Sequence, residues 1–392
     1  MGDELQIAIV GAGPAGLTLA CLLENRGINY TVFDLRSQPP AAASTAPSGS
    51  LDLHTESGLL ALTECGLIEK FHGLKSDCTE DMILTDKDAQ VQYQDSGAGE
   101  RPEISRSDLT SLLMSSVPAG KLRWEHKLVD VEPQPGGRWQ LAFHDQPTLV
   151  FDLVVGADGA WSRVRGPLTE TKPHYSGIQN ITLDIPQLTS HDGSLAAMVG
   201  KGSFLASAQK KAIMTQRGPQ DSVRIYVMFE SPTEEHFSAF SSFSTPLKAV
   251  LLDNPEYFQD WAPALKSLIE AGLQYAGEQG QSVRPRGLYM LPPGHTWTSK
   301  EGLTLVGDAA HLMTPFAGEG VNAAMLDALE LSRAIDPARD REQLQHGIAS
   351  YETAMWERTR GHADETWRNL QMIFADDAPR GFVEMMKSFG GE

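Results

Sequence analysis

The sequence feature that most limits the possible folds is a glycine-rich turn near the N-terminus. An apolar segment at residues 5–10 runs directly into Gly11-Ala12-Gly13-Pro14-Ala15-Gly16, and a second apolar segment at residues 30–35 carries Asp34. A G-x-G-x-x-G turn between a strand and a helix, followed about 20 positions later by an acidic residue, is typical of dinucleotide-binding domains. We therefore predict a strand, a helix that ends at Gly27 and a second strand, arranged around a bound dinucleotide.

Each residue of this turn has a separate physical role. Gly11 permits the tight turn, Gly13 lets the backbone approach a pyrophosphate, and Gly16 lets the helix pack close to the strand. The carboxylate of Asp34 is placed to accept hydrogen bonds from a ribose hydroxyl group. The motif alone fits both FAD and a nicotinamide dinucleotide, so the choice between them needs the rest of the chain.

Two further strand-turn segments occur later in the chain. The apolar residues 149–155 precede Asp158-Gly159, and the apolar residues 303–306 precede Gly307-Asp308. After Gly307-Asp308, residues 321–335 have the apolar spacing of a helix. A strand, a turn rich in glycine and proline and a helix N-terminus present backbone N–H groups and the positive end of a dipole to an anionic ligand. The late segment therefore suits an anionic ligand, and an ordinary strand-loop-helix connection is the alternative explanation.

The charge balance excludes several kinds of partner. The 392 residues carry a formal net charge of −19, so the chain has no basic face for nucleic acid and no attraction to an anionic membrane surface. A phosphate-bearing ligand must be held by backbone N–H groups and a few arginines. The three cysteines lack a paired or metal-binding spacing, and no apolar run reaches the roughly 18 residues of a membrane span. We expect a cytoplasmic monomer or weak dimer without a bound metal.

The three turn segments together resemble the group A flavin monooxygenases, which share the para-hydroxybenzoate hydroxylase fold. The family pattern has G-x-G-x-x-G near the N-terminus, D-G in the middle of the chain and G-D late in it, as this chain does. Within this group, residues 50–54, 103–109 and 307–327 are most similar to the tetracycline-inactivating flavin monooxygenases. The resemblance covers approximately residues 1–170 and 285–335.

The resemblance implies an α/β fold in which a Rossmann-like FAD-binding domain of the para-hydroxybenzoate hydroxylase type carries a β-sheet substrate domain and a C-terminal helix. We expect the FAD-binding domain at residues 1–73, 101–167 and 285–335, the substrate-binding domain at residues 74–100 and 168–284, and a C-terminal helical segment at residues 336–392. Apolar patterns predict strands of the substrate sheet at residues 179–185, 194–199, 204–208, 212–216 and 223–229. The tail is predicted to form one long amphipathic helix that packs across both domains.

The resemblance also assigns positions around FAD. It implies Asp158 near the adenosine and pyrophosphate, Arg106 beside the ribityl-pyrophosphate region and Asp308 on the ribityl chain. The full set of expected cofactor-binding residues is Gly11, Gly13, Ala15, Gly16, Asp34, Leu35, Arg36, Asp52, Arg106, Asp158, Gly159, Gly307, Asp308, Pro315, Gly318, Gly320, Val321 and Asn322. Two positions depart from the family pattern: one residue separates Asp34 from Arg36, and Glu319 stands where glutamine is common. We expect the Glu319 carboxylate to point away from the flavin.

The substrate is expected above the flavin, against one face of the predicted sheet. The candidate pocket residues are Thr182, Met198, Phe204, Met214, Arg224, Tyr226, Pro293 and Phe316. Because side chains alternate between the two faces of a sheet, core packing is the alternative explanation for many of them.

The resemblance implies an oxidoreductase, namely an FAD-dependent monooxygenase that consumes NAD(P)H and molecular oxygen. It would hydroxylate a bulky aromatic or polycyclic small molecule of secondary metabolism through a flavin C4a-hydroperoxide. The chain has no second G-x-G-x-x-G for nicotinamide, which agrees with the transient nicotinamide binding of this group. Two alternatives stay open at this point. The same fold could perform epoxidation, oxidative rearrangement or antibiotic inactivation, or the protein could be a flavin oxidase or reductase that inserts no oxygen.

Overall fold

The computed structural model describes residues 5–39, 48–74, 79–97, 99, 101–234, 246–336, 338 and 340–389. The strands in these ranges are β1 (Ile7–Val10), β2 (Tyr30–Phe33), β3 (Ser50–Asp52), β4 (Met82–Thr85), β5 (Val91–Asp95), β6 (Glu103–Ser105), β7 (Leu122–Arg123), β8 (Leu128–Gln134), β9 (Arg138–Phe143), β10 (Gln146–Phe151), β11 (Leu153–Gly156), β12 (His174–Ile185), β13 (Ser203–Ala208), β14 (Lys211–Arg217), β15 (Val223–Glu230), β16 (Arg286–Met290) and β17 (Leu303–Leu305). The α-helices are α1 (Pro14–Asn25), α2 (Gly58–Glu64), α3 (Ile68–His72), α4 (Arg106–Met114), α5 (Leu188–His191), α6 (Gly193–Val199), α7 (Leu247–Leu252), α8 (Pro263–Glu278), α9 (Asp308–His311), α10 (Gly320–Ile335), α11 (Arg341–Ile373) and α12 (Arg380–Phe389).

The first sheet is parallel and has the strand order β17-β11-β1-β2-β7. Its central strands β1 and β11 are apolar runs that are buried along their whole length, as expected for strands covered on both faces. Ile7 of β1 lies opposite Leu153 of β11 on one side and Tyr30 of β2 on the other. The helices α1 and α10 contact each other and contribute Leu22 and Leu329 to the same core. The strand, helix and second strand predicted at residues 5–35 are confirmed.

The second sheet has the strand order β16-β12-β15-β14-β13-β4-β5. Its side chains alternate between two faces, because successive residues of a strand point to opposite sides. Ile181 and Leu183 of β12 belong to the core on the side of α8. Asn180, Met214 and Tyr226 instead line a cavity on the other side, which they share with turns of the first sheet. The predicted strands at residues 179–185, 204–208, 212–216 and 223–229 all lie within this sheet.

One predicted strand is wrong, because residues 194–199 lie in the helix α6. Asp192 starts this helix, since its carboxylate accepts hydrogen bonds from the N–H groups of Ser194 (2.9 Å) and Leu195 (3.1 Å). Gly200 follows its end with a positive φ of 72°. Residues 247–278, for which no helix is predicted from the sequence, contain the helices α7 and α8. The helix α8 covers the second sheet, and its Gly272 approaches the side chain of Leu183.

The tail forms two helices rather than the one that was predicted. The long helix α11 joins two parts of the core, since its Ile348 and Met355 pack with the first sheet. Its Leu370 and Ile373 pack in a second cluster with residues of the other sheet. The shorter helix α12 follows after residues 374–379. Within the described ranges, no helix has both the length and the apolar character that crossing a bilayer demands.

Candidate active site

A cavity of about 460 Å³ lies where the carboxyl ends of β1, β11 and β17 meet the second sheet. This is the position at which open parallel sheets generally bind their ligands. From the first sheet and its connections it is lined by Gly13, Pro14, Ala15, Ser50, Leu51, Asp52, Arg106, Ala157, Gly159, Val306, Asp308, Met313, Thr314, Pro315, Gly318, Gly320, Val321 and Ala324. Ten of the expected cofactor-binding residues are therefore together around one space: Gly13, Ala15, Asp52, Arg106, Gly159, Asp308, Pro315, Gly318, Gly320 and Val321.

The glycines of the first turn differ in what surrounds them. A Cβ added to Gly11 would overlap the backbone carbonyl of Ala157, and Gly11 has a φ of 112° that side chains rarely allow. A Cβ added to Gly16 would overlap the carbonyl of Gly11, so these two residues let the turn, α1 and β11 come close together. A Cβ added to Gly13 would meet no protein atom within 4 Å, although Gly13 lines the cavity. Of these three glycines, Gly13 is therefore the one whose backbone is open to the cavity.

The carboxylate of Asp34 closes the same turn from the end of β2. It accepts hydrogen bonds from the Ala12 N–H (2.7 Å) and from the Arg36 N–H and Nε (both 2.8 Å). Burial opposes the charge of Asp34, but the hydrogen bonds from Arg36 and Ala12 outweigh it and hold the pKa of Asp34 below its usual value. Leu35 lies between them with its side chain exposed to solvent. These three residues lie beside the glycine turn and outside the cavity lining.

Asp158 shapes the turn that follows β11. Its carboxylate accepts hydrogen bonds from the Ser162 hydroxyl (2.5 Å) and from the Arg163 N–H (2.7 Å). Burial raises the pKa of Asp158, although these hydrogen bonds oppose the shift. Gly159 follows with a φ of 76° and lines the cavity. The side chain of Asp158 therefore holds the backbone of Gly159 in place instead of lining the cavity itself.

Gly307 and Asp308 connect β17 to the helix α9. Gly307 has a φ of 62°, and a Cβ there would lie 3.1 Å from the Ala324 Cβ and 3.3 Å from the Ala15 Cβ. The Asp308 side chain is open to the cavity, whose lining also includes Arg106. Asp308 lies deep in the molecule, where a charged carboxylate is poorly solvated, and this desolvation raises its pKa. The positive charges of His311 and Arg106 oppose the shift. The cavity lining thus holds two acidic groups, Asp52 and Asp308, and one basic group, Arg106, which are suited to polar ligand atoms.

A buried charge cluster behind this turn was missed by the sequence analysis. Asp327 of α10 is fully buried and accepts hydrogen bonds from the Gly307 N–H (2.9 Å), His311 Nε2 (2.5 Å) and the Arg358 guanidinium (2.8 Å). A signal for it was available, because Asp327 stands between Ala324 and Ala328 on the apolar side of the predicted helix. An acid in that place needs partners, since burying an unpaired charge is costly.

Asn322 links the start of α10 to the segment that follows β3. Its side-chain oxygen accepts a hydrogen bond from the His54 N–H (2.9 Å), and its side-chain nitrogen donates one to the Asp52 carbonyl (3.0 Å). Asn322 is fully buried and lies outside the cavity lining, so it holds Asp52 at the cavity edge. The neighbouring Gly318, with a φ of 73°, lines the cavity close to the Asp52 carboxylate.

Glu319 lies between two histidines and outside the cavity lining. Its Oε1 is 3.7 Å from His54 Nδ1, and its Oε2 is 3.6 Å from His362 Nδ1. His54 Nε2 is 3.0 Å from the Asp52 carboxylate. The hydrogen bond to Asp52 raises the pKa of His54, burial opposes this shift, and the charges of Asp52 and Glu319 add to it. Asp52, His54, Glu319 and His362 thus form a row of alternating acids and imidazoles, which the sequence analysis did not foresee.

The second sheet supplies the opposite wall of the cavity. Its lining residues are Asn180, Met214, Gln216, Tyr226, Met228 and Leu288. Met214 and Tyr226 were among the candidate pocket residues, and the Tyr226 hydroxyl donates a hydrogen bond to Gln216 Oε1 (3.1 Å). Asn180, Gln216 and Leu288 were not proposed from the sequence. Gln216 stands two residues after Met214 on the same strand, so the alternation of the strand could have found it.

The other candidate pocket residues lie away from the cavity lining. Phe204 belongs to the core on the α8 side of the second sheet, because Leu205 takes the opposite face of β13, and Met198 of α6 packs against the same core. Phe316 is buried against Phe374 of the tail, with the ring centroids 5.6 Å apart. The three remaining candidates also lie outside the lining: Arg224 is bound to the Asp184 carboxylate (2.8 and 3.0 Å), and Thr182 and Pro293 are exposed.

Two comparisons by sequence indicate a family, and a comparison of structures supports the fold. The family model described as an FAD binding domain matches residues 4–239 and 295–365. A monooxygenase of Penicillium thymicola, penA, is 34% identical and aligns with 98% of this chain and 99% of its own length. The crystal structure of Klebsiella pneumoniae HpxO with FAD and uric acid superposes with a TM-score of 0.78 at 19% identity, covering 99% of this chain and 94% of that one. The tetracycline destructase Tet(55) superposes with a TM-score of 0.72 at 18% identity, covering 100% and 96% of the two chains.

Proposed function

The chain belongs to the FAD-binding-domain family of group A flavin monooxygenases and is an FAD-dependent monooxygenase, and from that premise we propose that it hydroxylates a bulky aromatic or polycyclic small molecule. The proposal rests mainly on one observation, a cavity that joins the turns of the parallel sheet to one face of the second sheet. A dinucleotide along the turns and a substrate against the second sheet would share this space. NAD(P)H and molecular oxygen are the other reactants of such an enzyme.

We propose that FAD lies along the turns after β1, β11 and β17. The open space at Gly13 supports this placement, because the turn can approach a pyrophosphate there without a side chain in the way. Asp34 at one end would contact the ribose, and Arg106 and Asp308 would contact the polar chain that leads to the ring. Bound FAD supplies hydride acceptance and oxygen activation, which amino-acid side chains do not provide.

The residues around the proposed ring position have their own electrostatic role. The helix α10 begins at Gly320, and both Gly320 and Val321 line the cavity. The positive end of a helix dipole favours negative charge close to the first turn. The N-terminus of α10 would therefore stabilise the negative charge that flavin reduction brings to this side of the cavity.

The substrate class follows from the second wall. Met214, Met228 and Leu288 offer an apolar surface, while Asn180 and Gln216 offer amide groups beside it. A mainly apolar wall with a few polar groups is typical of sites for small organic ligands, and it also keeps water away from the reacting centre. A ring system with few hydrogen-bonding groups matches this surface better than a small, highly polar molecule does.

Oxygen incorporation tests the proposal. FAD-loaded protein is incubated with NADPH or NADH, ¹⁸O₂ and a panel of aromatic and polycyclic compounds, and products are analysed by mass spectrometry. We expect at least one compound to accelerate NAD(P)H oxidation and to gain one ¹⁸O atom. Accelerated NAD(P)H oxidation that yields only hydrogen peroxide would contradict the proposal and favour a flavin oxidase.

The proposed FAD position is tested separately by Asp308→Ala. Losing a charged hydrogen-bonding group costs roughly 1.5–3 kcal/mol, so the FAD dissociation constant should rise about 10- to 100-fold. Fluorescence titration of the apoprotein with FAD measures the change. The control is Asp364→Ala, which removes an exposed acid of α11. An FAD affinity that is the same in both variants would exclude the proposed contact between Asp308 and FAD.

A further inference from the structure

The reaction of an NAD(P)H-dependent monooxygenase consumes a proton from solvent. NAD(P)H delivers a hydride, and one oxygen atom enters the substrate while the other leaves as water. The balance NAD(P)H + H⁺ + O₂ + substrate → NAD(P)⁺ + water + oxygenated substrate requires one further proton in every turnover. Formation of hydrogen peroxide without substrate oxidation requires one proton as well. A cavity that excludes water therefore needs a route for this proton.

The row of Asp52, His54, Glu319 and His362 leads from the cavity to the outside of the molecule. Asp52 lines the cavity, with 33% of its side chain exposed, whereas only 5% of the His54 side chain is exposed. Glu319 and His362 follow with 18% and 26% of their side chains exposed, and neither lines the cavity. The row therefore has an end at the cavity, a buried middle and a second end that solvent reaches on α11.

The two inner members of the row, His54 and Glu319, each offer a different atom to each of their two neighbours. His54 has Nε2 at 3.0 Å from Asp52 Oδ2 and Nδ1 at 3.7 Å from Glu319 Oε1. Glu319 has its other oxygen at 3.6 Å from His362 Nδ1. An imidazole that takes a proton on one nitrogen and releases one from the other is a natural proton carrier. The carboxylate of Glu319 can accept a proton on the side of one neighbour and release it to the other neighbour once the protonated group has turned.

We propose that these four residues form a proton relay that supplies the cavity, an inference that rests on the proposed function of that cavity. His362 Nδ1 gives its proton to Glu319 Oε2, the protonated carboxyl group turns about its Cγ–Cδ bond, and the same proton passes to His54 Nδ1. His54 Nε2 then releases a proton to Asp52 Oδ2 at the cavity wall. Asp52 then releases this proton into the cavity, His362 regains a proton from solvent, and His54 moves its remaining proton from Nδ1 back to Nε2. One proton therefore enters per cycle, and every residue returns to its starting state.

The geometry also shows where the relay is slowest. N–H···O hydrogen bonds span about 2.7–3.2 Å, so the two contacts of Glu319, at 3.6 and 3.7 Å, are open by roughly half an ångström. A small rotation of the Glu319 carboxylate closes one contact at a time. Among the described residues, the other charged groups that face His54 are Glu56, with Oε1 at 3.9 Å from Nδ1, and Arg101. Glu56 is 79% exposed and is the competing entry point.

Proton uptake tests the relay directly. FAD-loaded protein is reduced without oxygen and then mixed with oxygen in weakly buffered solution that contains a pH indicator dye. In the wild type, proton uptake should keep pace with flavin reoxidation. In Glu319→Gln and His362→Gln, uptake should be slower by about 100-fold or more, the usual size of a lost proton-transfer group. Added formate should restore uptake in Glu319→Ala, which a purely structural role of Glu319 would not allow.

Matched controls identify the entry point. Glu56→Gln removes the competing acid, and His346→Gln removes another exposed histidine of α11; both should take up protons at the wild-type rate. A slow Glu56→Gln variant beside a normal His362→Gln variant would overturn the proposed order. Flavin absorbance and melting temperature show whether each variant is folded and loaded.

A second measurement does not depend on turnover. The pKa of His54 is followed by NMR of the imidazole Cε1–H, with His54→Gln to assign the signal, and it should fall in Glu319→Gln because a neighbouring negative charge is lost. An unchanged pKa together with unchanged proton uptake would overturn the relay. Wild-type protein that binds no FAD, or does not oxidise NAD(P)H, would instead contradict the proposed function.

Discussion

At the scale of single residues, the glycines of the first turn meet two different requirements: one glycine is needed for folding and another for binding the ligand. Gly11 is required by the protein itself, because its φ is 112° and a Cβ would overlap the Ala157 carbonyl. Gly13 has no protein atom within 4 Å of its would-be Cβ, so the fold does not need a glycine there. The proposed pyrophosphate does need it. One motif therefore contains a folding residue and a ligand residue two positions apart.

The pair Gly11→Ala and Gly13→Ala tests this separation. Gly11→Ala should destabilise the fold by several kcal/mol, since the backbone conformation alone costs an alanine about 1–2 kcal/mol and the overlap adds to it. Gly13→Ala should leave the stability of the apoprotein nearly unchanged and weaken FAD binding. Urea unfolding of the apoproteins and FAD titration measure the two effects. Equal losses of stability in both variants would contradict the separation.

The same scale shows what a motif can and cannot predict. The glycine turn and Gly307-Asp308 were found from the sequence because their backbone geometry demands particular residue types. The lining of the second wall depends on which residues of a strand face the cavity, and a shift of one position exchanges Leu205 with Phe204. No local sequence pattern determines which alternate residues of a strand face the cavity. That choice depends on pairing between strands that are distant in the sequence.

At the scale of elements, the part that the sequence pattern predicts worst is the layer that covers the second sheet. The helix α8 has signals at both ends, with Pro263 as its first residue and Gly280 (φ 63°) directly after its C-cap residue Gln279. The short helix α6 has few apolar residues, and they are so close together that its pattern resembles that of a strand. The structure gives α8 a close approach to β12, where the Cβ of an alanine at position 272 would lie 2.8 Å from the Leu183 Cβ. Gly272 therefore sets the distance between this helix and the sheet.

Gly272→Ala and Gly277→Ala form a matched pair in α8. Gly272→Ala should lower the free energy of unfolding by roughly 1–3 kcal/mol, the usual cost of overpacking a core. Gly277 is exposed and its Cβ would meet no atom within 4 Å, so Gly277→Ala should raise that free energy by up to about 1 kcal/mol through helix propensity. Urea unfolding followed by circular dichroism checks both signs. A stabilising Gly272→Ala would show that the helix and sheet have room to separate.

At the scale of the whole molecule, buried charge holds together elements that the chain brings from far apart. Asp327 on α10 binds the backbone at Gly307, His311 on α9 and Arg358 on α11. Burial opposes the charge of both His311 and Asp327, yet their mutual attraction raises the pKa of His311 and lowers the pKa of Asp327. The folded protein therefore keeps both groups charged over a wider pH range than the unfolded chain does.

These opposite pKa shifts predict how the contribution of the cluster to the free energy of unfolding changes with pH. The contribution of Asp327 is present above its ordinary pKa and is lost as pH falls through its lowered value. The contribution of His311 is present below its ordinary pKa of about 6.5 and is lost as pH rises through its raised value. Asp327→Asn should cost about 3–5 kcal/mol where both groups are charged, and less at either extreme. Urea unfolding across pH with saturating FAD measures this, with Asp364→Asn as the control. A cost that does not vary with pH would contradict the ion pair.

The parallel sheet also determines when during synthesis the proposed FAD site can form. Its neighbouring strands come from Ile7–Val10, Leu153–Gly156 and Leu303–Leu305, three regions that leave the ribosome far apart in time. At about 5–20 residues per second, roughly 15–60 s separate the first strand from the last. Until then β11 has an unpaired edge that is open to wrong partners. FAD can therefore stabilise the nascent protein only after Gly320 has been made, and a shortage of the cofactor would act on the last stage of folding.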